Sequence, residues 1–176
     1  MGRVSVAVLA SLDSKHAAVR FIYDALTAAG ATPWLVDLSL RPHALDFADV
    51  SGETVAKSSG LAWVDIGRLT RAEAARTMIL GGTEIVREKF ARREIGGVIG
   101  VGGANGSTIA CAIMRALPIS FPKVMVTPVA ATAAVQWYVA ESDIAMYPTI
   151  GAISLNRVTC AAMANAAHAV AGMARG

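Results

Sequence analysis

Apolar residues run almost unbroken over Val4–Leu9, which suits a strand buried on both faces. From Ala17 to Ala29 the spacing changes. Val19, Ile22, Tyr23 and Leu26 recur with a helical period, and Gly30 marks the stop. A second apolar run follows at Thr32–Asp37, with Pro33 tolerable at its start. Strand, helix and strand in this order predict a parallel pair joined by a right-handed crossover.

Ser39–Gly67 is the least regular stretch, with Pro42, two short helix candidates and a stop at Gly60. Thr70-Arg71-Ala72-Glu73 reads as a capping box. The helix behind it extends to about Arg93, with Ala75, Met78, Ile79, Ile85, Val86 and Phe90 on one stripe. Gly81-Gly82 sits mid-helix at a propensity cost of about 1 kcal/mol each, which points to close backbone approach or a kink. Gly97–Val101 is a short buried strand, and Gly102–Ser107 a glycine-rich turn. A helix then begins at Ser107 or Thr108 and ends before Pro118. Lys123–Val126 and Ile144–Tyr147 are further strands, Val129–Ala140 is ambiguous, and a last helix starts at Ser154 or Asn156 and runs to Met173. The alternation predicts one three-layer, doubly wound α/β domain with a mainly parallel sheet.

Composition narrows the class. The 176 residues are 55% hydrophobic and 16% charged, which excludes a disordered chain. There are 35 alanines, a density that favours close helix packing. Net charge is +3, yet no Lys/Arg run exceeds two residues, so no nucleic-acid footprint is expected. Cys111 and Cys160 form no C-x-x-C pair and read as small residues of a reducing compartment. The apolar start meets Asp13 and Lys15 too soon for a secretory signal, and Val158–Ala174 is too short and polar for a membrane span. The expectation is a cytoplasmic protein with no membrane partner.

Three polar loops follow strands, where an open parallel sheet binds its ligands. In the first, Ser11, Asp13, Ser14 and Lys15 can contact a phosphate, a ribose hydroxyl or Mg²⁺, or they can simply cap a helix. The second, Gly102-Gly103-Ala104-Asn105-Gly106-Ser107-Thr108, is the sharpest signal. Its glycines allow positive φ and close approach, and backbone N–H groups opening a helix favour an anion. A tight turn that binds nothing is the plainer alternative. The spacing is not a Walker A loop, because no Lys follows Gly106. The third loop offers Thr127 as its one good donor. His16, His43 and His168 are far apart, and no hydrolytic constellation is visible, so no catalytic or metal-binding residue is assigned.

At these loops the chain resembles the N-terminal domain of the tomato mosaic virus resistance protein family and its uncharacterised bacterial relatives. The resemblance rests on Leu12-Asp13-Ser14-Lys15, Val36-Asp37, Gly97 to Gly103, Met114 to Pro118, Pro122 to Val126, Ser142-Asp143-Ile144 and Leu155-Asn156-Arg157. It extends in order along essentially the whole chain. It implies a Rossmann-like domain over residues 1–176 that binds ATP, with or without Mg²⁺, in a usually dimeric assembly. In the plant member the domain also contacts a viral replication protein. Members of the family usually continue into a second domain of similar size, and these 176 residues are expected to hold only the first, as a natural half or as a piece of a longer chain. The family's Gly-Thr-x-Asp-Thr-Lys-Gly is here Ala10-Ser11-Leu12-Asp13-Ser14-Lys15-His16, without either glycine. Its Gly-Gly-Ser-Gly-Gly-Thr becomes Gly102 to Ser107, with Asn105 as a residue that tolerates positive φ. Its third loop has lost a serine, a glycine and an aspartate at Ala130–Ala133, so one ligand wall is altered.

Three functions therefore compete. The leading one is a nucleotide-binding domain that holds ATP or another anionic small molecule, with phosphates on Gly102–Thr108 and Lys15 as counter-charge. The second is half of an enzyme for a small phosphorylated or carboxylated substrate, completed by a second domain or by a separate partner chain that carries it. The third is an assembly module with a vestigial pocket. Homo-oligomers fit all three.

Overall fold

The computed structural model describes residues 3–43, 47–151 and 153–176. Five strands form one all-parallel sheet: β1 (Ser5–Ala10), β2 (Thr32–Asp37), β3 (Gly97–Val101), β4 (Lys123–Thr127) and β5 (Ala145–Pro148). Their spatial order is β2-β1-β3-β4-β5. The direction of winding therefore reverses between β1 and β3, and the crevice outside their carboxyl ends is where this topology places ligands. The strands finish nearly level. Ala10 pairs with Asp37 on one side and Val101 on the other, and Val101 pairs with Val126.

Seven helices connect these strands among the described residues: α1 (Leu12–Ala28), α2 (Gly52–Ser58), α3 (Trp63–Ile66), α4 (Arg71–Ala91), α5 (Ala104–Arg115), α6 (Val135–Val139) and α7 (Arg157–Met173). They make the two outer layers. Val6, Val8 and Ala10 pack with Val19, Ile22 and Leu26 of α1 and Met163, Ala167 and Val170 of α7. Ala7 and Leu9 face the other way, onto Val55 of α2, Met78 and Val86 of α4, and Ile109 and Ile113 of α5. Both faces of β1 are thus apolar, which is why its sequence shows no polar alternation. Burying each such Leu or Ile fully contributes about 2 kcal/mol.

The strand and helix boundaries expected from periodicity hold within a few residues. Val129–Ala140, left ambiguous by its pattern, is a 3₁₀ turn at Pro128–Ala131 followed by the short α6. Two larger differences bear on the site. First, helix α1 begins at Leu12 rather than Ala17, with Lys15 (φ −131°, ψ 17°) breaking its first turn from the rest. Second, α5 begins at Ala104, so most of the expected glycine-rich turn is the first turn of the helix.

The mid-helix glycines of α4 serve close approach. A Cβ on Gly81 would lie 1.8 Å from the Val55 carbonyl oxygen of α2, and one on Gly82 would lie 2.6 Å from Ile113 Cδ1 of α5. Bare backbone on both sides lets α4 sit between its two neighbours. Among the described residues no helix is long and apolar enough to cross a membrane.

Candidate functional site

The carboxyl end of β2 organises one wall. Asp37 is buried, and its Oδ1 accepts the Leu12 N–H at 3.2 Å, the Ser39 N–H at 3.0 Å and the Ser39 hydroxyl. Its Oδ2 lies 2.8 Å from His43 Nε2. The Ser39 hydroxyl in turn accepts the Asp13 N–H at 3.0 Å. A buried carboxylate needs such partners to be tolerated. Together these bonds cap the start of α1 from outside its own sequence, so its Leu12 and Asp13 N–H groups are already satisfied.

The start of α5 is built differently. Gly103 is its N-cap and offers no side chain to the first N–H groups of the helix, which have no intrahelical acceptor. A Cβ on Gly103 would meet no atom within 4 Å, so the backbone there borders open space. Gly102 is needed for packing: its Cβ would come within 2.9 Å of Gly106 Cα. The glycines of this segment do not use left-handed dihedrals. Positive φ at glycine occurs at Gly30, Gly60 and Gly151, and Asn105 is not among the residues with positive φ. The expected positive-φ turn is therefore corrected. Close approach of the first helical turn explains Gly102, and the space before the helix surrounds Gly103, whereas a Cβ on Gly106 would make only an ordinary 3.9 Å contact with the Val101 carbonyl oxygen.

Between these walls lies a cleft of about 580 Å³ at the β1/β3 switch point. Of the residues expected from sequence, Ser11, Asp13, Ser14 and Lys15 line it from α1, and Gly102, Gly103, Ala104, Asn105 and Gly106 from α5. Three do not. Ser107 and Thr127 are buried beneath the cleft, where the Ser107 hydroxyl donates to Thr127 Oγ1 at 2.8 Å and Thr127 Oγ1 accepts the Val129 N–H. Thr108 donates back to the Ala104 carbonyl and lies on the outer side of α5. Ser11 lines the cleft, yet its hydroxyl donates to the Leu38 carbonyl at 3.3 Å. Asp13 and Ser14 are exposed, and Lys15 is half-buried.

Sequence reasoning missed Arg41, His43 and Arg71, which also line the cleft. Arg41 and His43 lie in the irregular segment after β2, and Arg71 opens α4 thirty residues further on. Only the capping box at Thr70 hinted that Arg71 begins a helix, and nothing hinted where that helix points. Lys15, Arg41 and Arg71 form no ion pair with a described carboxylate. Among the described residues Asp13 is the one carboxylate in the lining, so their balance in the cleft is cationic, with a helix N-terminus adding to it. No residue of 127–140 lines it among the described residues, so the altered third loop is not one of its walls.

Other motifs behind the resemblance serve the fold. Asn156 caps α7, accepting the Val158 and Thr159 N–H groups at 2.9 and 3.0 Å. Arg115 donates to the Tyr138 carbonyl and holds α6 against α5. Lys123 and Asp143 meet at the opposite end of the sheet from the cleft, 2.7 Å apart.

The chain is 38% identical to a UPF0261 protein of Rhizobium meliloti over 170 residues, 95% of this chain and 41% of that protein. It is 31% identical to a UPF0261 protein of Clostridium tetani over 173 residues, 97% of this chain and 43% of that one. The chain thus spans about two-fifths of the length of these relatives. The likeness to the tomato ToMV resistance protein Tm-1 is narrower than the motifs suggested: 35% identity over 85 residues, covering 48% of this chain and 11% of that protein. Residues 4–176 match the family described as "Uncharacterised protein family (UPF0261) N-terminal domain", and the chain belongs to that family.

Proposed function

We propose that this domain binds an anionic, phosphate-bearing small molecule in the cleft at the β1/β3 switch point, with ATP the leading ligand. One observation carries the reading: Lys15, Arg41 and Arg71 line one cleft with the side-chain-free N-terminus of α5, with a single carboxylate among the described lining residues. A helix start with unpaired N–H groups beside fixed cations is a ready anion site. The phosphates lie against Gly103 to Gly106, and Lys15 supplies a point charge at the break in α1. Asp13 is the group in the lining that suits Mg²⁺ or a ribose hydroxyl.

Calorimetric titration with ATP, with and without Mg²⁺, tests this. Lys15→Ala is expected to weaken binding about tenfold, equivalent to about 1.4 kcal/mol. Gly103→Val has room for its Cβ and so folds, but its branches occupy the phosphate side of the cleft and abolish binding. No heat at millimolar ATP from folded protein, or binding indifferent to both substitutions, overturns the reading.

A further inference from the structure

A second, more apolar groove opens beside the cleft, between α4 and α5. It measures about 430 Å³ and is lined by Arg71, Ala72, Ala75, Arg76 and Ile79 of α4 with Asn105 and Thr108 of α5. Two of these residues, Arg71 and Asn105, also line the cationic cleft. The two spaces therefore adjoin at one arginine and one asparagine. Their chemistry differs sharply. The cleft presents cations and backbone N–H groups, whereas the groove presents the small side chains of Ala72 and Ala75, the flank of Ile79 and two guanidinium groups.

We infer that the groove is the subsite for the base of a nucleotide whose phosphates occupy the cleft. This rests on the reading of the cleft as a phosphate site. Two successive turns of α4 place Ala72, Ala75 and Ile79 on one face, at spacings of three and four. That face is low and apolar, and it suits a flat ring better than a branched chain. Guanidinium planes stack on aromatic faces, and Arg71 and Arg76 stand at this face. Asn105, at the junction, has a side chain that both donates and accepts, which is what the edge of a purine requires. The nearby Thr108 hydroxyl donates its proton to the Ala104 carbonyl and so has only acceptor lone pairs left to offer. The groove thus binds the ring by shape and stacking, and Asn105 supplies its polar contact.

The test compares ATP with inorganic tripolyphosphate by calorimetry on the same protein. Wild type is expected to bind ATP at least tenfold more tightly than tripolyphosphate. Ala72→Trp and Thr108→Trp fill the groove from its two walls, and both positions are exposed, so the fold tolerates them. Each is expected to bring the affinity for ATP down to that for tripolyphosphate while leaving tripolyphosphate binding unchanged. Equal affinities in wild type, or tryptophans that leave ATP binding intact, overturn the base subsite and leave the groove to a protein partner, with the phosphate site standing. Failure of both ligands to bind wild type overturns the phosphate reading and this inference together.

Discussion

The Lys123 ammonium is wholly buried and is met by Asp143 at 2.7 Å, with the Pro118 and Phe121 carbonyls at 2.6 and 3.1 Å completing its shell. Asp143 also accepts the Ser120 N–H at 2.7 Å. One ion pair therefore ties the entry of β4, the turn before it and the entry of β5. A buried ammonium is tolerated only with such partners, and removing one of them leaves an uncompensated charge.

The hydrogen bond from Lys123 holds the Asp143 carboxyl below its ordinary value, with the Ser120 N–H assisting against some desolvation. A carboxyl lowered on folding contributes stability above its unfolded value, and that stability is lost as pH falls through the folded one. Asp143→Asn is expected to cost about 1–3 kcal/mol at pH 7, the lower part of this range reflecting the exposed side of the carboxylate. The gap between wild type and variant should shrink as pH falls below the ordinary Asp value and close only once the lowered folded value is passed. Urea unfolding over a descending series of pH values measures it, and a gap that does not shrink with falling pH would contradict the assignment.

Gly81→Ala and Gly82→Ala are predicted to differ although they are neighbours in one helix. The first places a methyl against the Val55 backbone, which cannot rotate away, so a loss of about 3 kcal/mol is expected. The second meets the mobile end of Ile113, and the helix-propensity gain of about 1 kcal/mol offsets much of the strain. Thermal unfolding of the two variants decides this, and equal losses would show that the approach of α2 is looser than described.

Asp37→Asn keeps the size of the side chain but replaces one acceptor oxygen with a donor. The Leu12 and Ser39 N–H groups or His43 then lose one hydrogen bond to this side chain, and about 2 kcal/mol of stability should go with it. Ligand binding in the cleft should weaken too, since the same bonds place Asp13 and His43. Ser14→Ala, exposed and outside this network, should change stability by less than about 0.5 kcal/mol. Chemical denaturation of both variants is the check.

The two thiols should separate in reactivity. Burial pushes the Cys111 thiol up to about 11, so at pH 8 only about one molecule in a thousand carries the thiolate. Cys160 is half-buried near the start of α7. An aromatic disulfide reagent at pH 8 should label Cys160 in the folded protein and reach Cys111 only after denaturant is added. Rapid labelling of both in the native state would mean that α5 opens readily.

Much of this molecule is legible in its sequence. Unbroken apolar runs at Val4–Leu9 and Gly97–Val101 can be satisfied only by strands covered on both faces, and helical spacing between them forces crossovers, hence a parallel sheet. Gly30, the Thr70 capping box and the doubled glycine of α4 are local signals, and each marks a local event in the structure. Which loops meet is not a local property. The order β2-β1-β3-β4-β5 brings the ends of β1 and β3 together and leaves Thr127 buried outside the cleft lining, bonded to Ser107. Arg41 and Arg71 reach the cleft because their elements pack beside β2 and α5, and no periodicity encodes that neighbourhood. Hydrophobic patterning decides which residues are buried and in what kind of element. Strand order and side-chain pairing across distant segments decide which polar groups are left facing the cleft.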